Sequence, residues 1–486
     1  MNSLNHSISR RTFLRRAISA SMAAGVVAGK PGLLLAQDQS CIPQDMPRTL
    51  VNVMLQGGAD FRYLFMPSPG HPDANFLSLL WSARRPLYSE AYADYEQMFD
   101  SEYLLTADPQ TGQEFGIHRQ AGWLHSQFNE GRLAIVANAY CGRNRRHDQS
   151  ILNADAGEPD FVALNFDRDG WGGRLVEHLG GTANSVELGN SVSTFNKGTV
   201  QGNRLARVLH AQDMRALALP EPDPGAPASR RSILARALRA YYEARGPEVI
   251  VGKPGNWPYH TFFQHNTALR TFAAEVDEKL ATCRPLPDEL LELQLSNSEF
   301  AQQARNLFDV CQVPSELSLG VVSMSYGGWD THNNQAAEIG SNLADVFGSG
   351  GGLDTALTSI ETLPAAERPA PEQLVFYFAS DFGRQIIVNG TAGTDHGSGT
   401  NSMLLGPAVR GGVYGEMFPE RESRPDSDGL IPLETPGADI EGLTSTDRIL
   451  THAADWVGNG LGSAVFPNSS QGGLEPGVSL ANLFAA

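Results

Sequence analysis

Short apolar runs that stop at glycine or at an acid constrain this chain most. Residues 49–55 read TLVNVML and stop at Gly57-Gly58. Residues 132–140 read RLAIVANAY, and 317–324 read LSLGVVSM before Gly327-Gly328. Residues 373–379 read QLVFYFA and close at Ser380-Asp381, and 402–405 form a shorter fifth run. Such runs predict buried strands ending in tight turns. Helical spacing of apolar residues over 232–243, 262–280 and 288–310 separates them. Together they predict an α/β chain with a mainly parallel central sheet covered by helices on both faces.

The 486 residues suit one large α/β domain with insertions. The Pro-rich stretch 219–229 opens a helical section, read as an insertion over about 219–312. The formal charge of −18 repels phosphate backbones and argues against a nucleic-acid partner. It does not argue against a small anion held in a local metal site. Cys41, Cys141, Cys283 and Cys311 form no Cys-x-x-Cys pair, which excludes a zinc ribbon. In an oxidising compartment Cys283 with Cys311 is the preferred disulfide, with buried free thiols as the alternative.

Ser9-Arg10-Arg11-Thr12-Phe13-Leu14-Arg15 matches the twin-arginine export pattern. A weakly apolar stretch follows from 18 to 35 and contains Lys30 and Pro31, so it makes a poor permanent span. Residues 1–36 are therefore read as an export signal and 37–486 as the mature domain. The expected location is periplasmic or secreted, with the twin-arginine translocase as a partner during export.

The polar residues fall at the strand ends, where parallel sheets bind ligands. Asp60 follows the first run. Asp330 and His332 follow the third, Asp381 the fourth, and Asp395-His396 precede the fifth. Asp supplies hard oxygen and His neutral nitrogen to a divalent cation; zinc, manganese or magnesium fits such a mixed set. Clustered acids without a cation would repel one another. Taken singly, an Asp after a strand is more often a helix cap or turn residue.

The segments LVNVMLQGGAD, Ile117 through RLAIVANAY to RRHDQS, GWGGRL, GGWDTHNNQ, SDFGR and GTDHGSGTNSMLLG occur in that order. With these the chain resembles an exported bacterial family called domain of unknown function 1501. That family is grouped with the alkaline phosphatase-like superfamily, which includes sulfatases and cofactor-independent phosphoglycerate mutases. The resemblance implies an alkaline phosphatase-like fold with metal ligands at Asp60, Asp330, His332, Asp381, Asp395 and His396. It further implies hydrolysis of phosphate or sulfate esters, so a small anionic ester is the expected substrate. Two departures stand out. Phe382 occupies the place of a ligand His, and Arg146 that of a Ser just before His147. Ser150 is then the nearest hydroxyl, with His147 and Arg384 as the other catalytic candidates. Arg143, Arg145 and Arg146 match anion geometry, and Asn144 is a further ligand contact. A non-catalytic envelope binding or secretion-partner protein that keeps the fold is the alternative.

Overall fold

A computed structural model describes residues 46–486, apart from 89–91, 182, 201–203, 206, 218–224, 226, 231, 235, 238–239, 241–271, 282–284, 364–369 and 486. The segment 1–36 expected to be an export signal lies outside the described residues. So do most of the two helical stretches expected over 232–243 and 262–280, and Cys41 and Cys283. Cys141 and Cys311 are buried free thiols.

The strands in chain order are β1 (Thr49–Leu55), β2 (Phe65–Pro67), β3 (Tyr103–Ala107), β4 (Glu114–His118), β5 (Leu133–Tyr140) and β6 (Asn184–Glu187). They continue with β7 (Val208–His210), β8 (Leu319–Tyr326), β9 (Leu374–Ser380), β10 (Thr400–Leu405), β11 (Gly412–Tyr414) and β12 (Thr444–Ser445). Among the described residues nine of them build one sheet, in the order β11-β5-β10-β9-β1-β8-β6-β7 with β12 beside β5. The strands β2, β4 and β3 form a small separate sheet. The first apolar run coincides with β1. The other four match β5, β8, β9 and β10 within two residues at each end.

The centre is parallel: β1 pairs β8 and β9 in that sense. The exception is β10, antiparallel to both β5 and β9. Two antiparallel steps leave β5 running the same way as β9. The carboxyl ends of β1, β5, β8 and β9 and the start of β10 therefore share one edge.

Alternation along the strands divides the apolar core between the two faces. Val51, Val53 and Leu55 of β1 face one layer, and Leu50 and Met54 the other. The first layer packs against Ser298–Gln312, Gln335–Phe347 and Gly352–Glu361 through Phe300, Leu307, Ile339, Leu343 and Leu353. The second packs against Trp171–Leu179 and Thr446–Val457 through Trp171, Leu175, Ile449 and Ala453. Helices thus cover both faces. No helix of the described residues is long and apolar enough to cross a membrane.

Candidate metal centre at the carboxyl edge of the sheet

The turn after β1 sets the frame. Gly57 and Gly58 have φ of 122° and 83°, values that disfavour any residue with a Cβ. A Cβ on Gly57 would lie 2.4 Å from the Asp330 nitrogen, and one on Gly58 2.7 Å from the Phe382 ring. The turn aims both glycine N–H groups at Asp381 Oδ1, at 3.0 and 2.6 Å. Asp381 is fully buried, so these donors compensate a carboxylate removed from water.

The other oxygen of Asp381 accepts a hydrogen bond from His147 Nδ1 at 2.6 Å. His147 opens the helix His147–Ala156, which follows β5. That hydrogen bond raises the His147 pKa against the effect of burial. His332 Nδ1 faces Asp395 Oδ1 at 3.0 Å, and His396 Nδ1 faces the Arg145 carbonyl at 2.9 Å. Each of the three rings therefore has an acceptor at Nδ1. Their partners place the proton on Nδ1 and leave the Nε2 lone pair free.

The three Nε2 atoms each approach the Asp330 carboxylate. His332 Nε2 and His396 Nε2 lie 2.9 Å apart. They stand 3.0 and 2.9 Å from Asp330 Oδ1. His147 Nε2 is 3.5 Å from Asp330 Oδ2 and has no hydrogen-bond partner among the described residues. Ligand atoms of His147, Asp330 and His396 all fall within 4.8 Å of one another. Two nitrogen lone pairs at 2.9 Å, beside a carboxylate, repel unless a positive charge lies between them. Such a donor set, oriented from behind by carboxylates and a carbonyl, is what a divalent ion binds.

Asp330 itself is held by Arg384. Desolvation opposes its ionisation, but the Arg384 guanidinium outweighs it and the carboxyl is brought down to about 2. Asp395 is likewise held below the usual carboxylate range, chiefly by hydrogen bonds from Asn389 and His332. The Asp330 side chain is 46 % exposed and that of His147 35 %, so the cluster opens to solvent. Phe382 closes it from below, with its ring centroid 4.4 Å from that of His396 and 4.7 Å from that of His147.

Five expected ligands thus gather at this edge: Asp330, His332 and His396 with their Nε2 or oxygen atoms at the centre, and Asp381 and Asp395 behind histidines. Asp60 has a different job. Its Oδ1 caps the short helix Phe61–Leu64 through Tyr63 N–H at 3.1 Å. Its Oδ2 takes the Arg84 guanidinium and the Gln335 amide. Both oxygens are committed, because a buried carboxylate must be paired. His147 moves the other way, from catalytic candidate to the centre of the donor cluster.

The remaining catalytic candidates have structural surroundings. The buried Ser150 hydroxyl donates to Asn144 oxygens at 3.3 Å and hydrogen-bonds no histidine or carboxylate among the described residues. Arg384 is buried and clamps the carbonyls of Gly57, Gly58, Trp329 and Thr394 as well as Asp330. Such a guanidinium, 2 % exposed and holding four backbone carbonyls, serves the fold rather than a substrate. Arg143, Arg145 and Arg146 are exposed and pair with Asp160, Asp439 and Asp148. The residues the sequence did not single out are Gln335, Asn389 and Arg84. Only their long-range partners reveal them.

Fold and cluster together define an α/β protein with a mainly parallel sheet and a His-Asp donor site at its carboxyl edge. Residues 287–424 match the family described as "Protein of unknown function (DUF1501)". That span contains Asp330, His332, Asp381, Arg384, Asp395 and His396, and leaves out Asp60 and His147. No curated protein matches the chain.

Proposed function

We propose that His147, Asp330, His332 and His396 hold one divalent metal ion, and that the chain is an exported metal-dependent hydrolase of phosphate or sulfate esters. The observation that carries the reading is the approach of three Nε2 atoms, whose Nδ1 atoms are all satisfied, to the Asp330 carboxylate. Three nitrogens and one carboxylate favour zinc or manganese over magnesium, which prefers oxygen and water. Such an ion, when bound, polarises an ester oxygen and makes water more acidic. The protein's part is to fix the rings through Asp381, Asp395 and the Arg145 carbonyl, and to neutralise Asp330 from behind with Arg384. The burial of Ser150 makes solvent water the attacking group. Arg146 is the most exposed of the three rim arginines, and its pair with Asp148 lies within its own turn, so it is the residue free to meet an anionic ester. The alkaline phosphatase-like fold, with its helical insertion, belongs to this reading through the motif resemblance.

Metal analysis of the purified protein, alongside hydrolysis of p-nitrophenyl phosphate and p-nitrophenyl sulfate, tests both parts. We expect about one metal ion per chain, lost in a paired Asp330→Ala and His332→Ala variant, and turnover that depends on it. A chain that stays metal-free under cation-replete conditions refutes the site. A second reading has its own support in Phe382, the buried Ser150 and the committed Arg384: a non-catalytic envelope protein that keeps a metal for stability. Bound metal without turnover of either ester selects it. Export through Arg10 and Arg11 is part of the proposal, and normal secretion of a double Lys variant would remove that part.

A further inference from the structure

The Nδ1 partner of His396 is a backbone carbonyl, that of Arg145, rather than a side chain. A carbonyl orients a ring only as well as its own segment is held. Arg145 lies in the connection between β5 and the helix His147–Ala156, whereas His396 precedes β10. The two segments are remote in the chain, so a third must fix one against the other.

Residues 437–443 do this. Leu443 N–H donates to the Asn138 carbonyl of β5 at 2.7 Å. The carbonyls of Ala438 and Ile440 accept from Ile386 and Gly399 N–H at 3.1 and 3.0 Å. Asp439 pairs with Gln385 in a short antiparallel bridge. Gln385 in turn holds the histidine segment, with its N–H on the Asp395 carbonyl at 2.9 Å and its side-chain amide on the His396 carbonyl at 3.3 Å.

One side chain completes the staple. Asp439 Oδ2 accepts from Arg145 Nη2 at 2.6 Å and from Ser398 Oγ at 3.0 Å. Arg145 Nη2 also donates to the Gly437 carbonyl at 3.2 Å. Arg145 stands two residues before His147 and Ser398 two after His396, so one oxygen ties both histidine-bearing segments together. Asp439 Oδ1 is buried with no hydrogen-bond partner among the described residues. An acid with one oxygen dehydrated and unpaired is a poor choice for stability alone. Asp439 also lies beyond residue 424, where the family match ends.

We propose that Asp439 is a positioning residue for the donor cluster. By holding the Arg145 guanidinium and the Ser398 hydroxyl on one oxygen, it keeps the Arg145 carbonyl on His396 Nδ1 and so keeps the Nε2 lone pair in the cluster. The inference rests on the metal reading and adds the residue that sets its geometry from outside.

The test uses the full chain and reads two quantities. Nitrogen-15 NMR of the zinc-free protein, at alkaline pH where the rings are neutral, reports which nitrogen of His396 carries the proton. The parent should show Nδ1–H. Asp439→Ala and Arg145→Ala should each move a measurable share of His396 to Nε2–H and weaken zinc binding about tenfold, the lower end of what loss of an orienting partner costs. The double variant should lose no more than either alone, since each removes the same contact. The Arg145 side chain is 43 % exposed, so its replacement keeps the test alive should Asp439→Ala unfold. Asp439→Asn keeps an oxygen for Arg145 and Ser398, so zinc binding should stay within about threefold of the parent. If Asn weakens zinc as much as Ala, the effect is lost charge and the proposal falls. It falls too if His396 keeps Nδ1–H in both Ala variants. The tautomer is read without metal, so a parent that binds no zinc refutes the metal reading and leaves the tautomer alone to decide the role of Asp439.

Discussion

Replacing Asp381 with Asn changes one atom and should separate the fold from the metal site. Asp381 serves two sets of donors: Gly57 and Gly58 N–H at Oδ1, and His147 Nδ1 at Oδ2. An Asn can keep its carbonyl oxygen toward the glycines, because the reverse would set NH₂ against two N–H groups. Its NH₂ then faces His147 Nδ1. The imidazole must accept there, so its proton moves to Nε2, the atom 3.5 Å from Asp330. A ring that donates from Nε2 cannot ligate a metal. Loss of such an orienting partner typically costs about 10–100-fold in metal affinity, roughly 1.4–2.7 kcal/mol. The metal-free protein should lose less, about 1 kcal/mol, because the glycine turn stays capped. Asp381→Ala should differ. It strands two buried N–H groups at about 1–3 kcal/mol each and lowers stability with or without metal. Competition for zinc against a chromophoric chelator gives the affinity, and thermal melts of the stripped proteins give the stability. The reasoning fails if Asn leaves zinc affinity within twofold of the parent. It also fails if Asn and Ala destabilise the stripped protein equally.

Asp60→Asn should leave zinc affinity within about twofold, whereas Arg84→Ala should cost about 3–5 kcal/mol by leaving the Asp60 carboxylate buried and unpaired; urea melts and the same zinc competition measure both, and metal loss in Asp60→Asn would restore Asp60 as a ligand. Burial pushes the Asp155 carboxyl from 3.8 up to about 7. The folded chain thus holds more protons than the unfolded one between those values, and stability falls as pH rises through them. Asp155→Asn should flatten that slope and raise stability by roughly 2–4 kcal/mol above pH 7; parallel pH profiles of the melting temperature for parent and variant would contradict the assignment.

The five strands were legible because each is a contiguous apolar run in which both faces are buried, and because Gly-Gly or an acid marks where three of them must stop. The candidate positions at Asp330, His332 and Asp381 were legible for a related reason, whereas Asp395 and His396 precede β10 and reach the same edge only because that strand runs antiparallel. Residues just past a parallel strand can only lie at one edge of the sheet, whatever the helices do. Local sequence also holds the Gly57-Gly58 turn, since no other residue type takes those dihedrals without strain.

The roles within the cluster were decided only by the tertiary fold. Asp60 and Asp381 look alike in sequence, each an acid after a buried strand. Asp60 meets Arg84 and Gln335 and becomes a cap in a buried ion pair. Asp381 meets two glycine amides and a histidine 234 residues away. His147 sits in a basic loop and is offered by the resemblance only as a catalytic candidate. It enters the cluster because β10 runs antiparallel between β5 and β9 and turns the end of β5 toward the same edge as β9. Short apolar runs determine that strands exist, since burial depends on residues a few positions apart. A ligand set depends on which strands become neighbours, and that is fixed by contacts hundreds of residues apart, which no local pattern encodes.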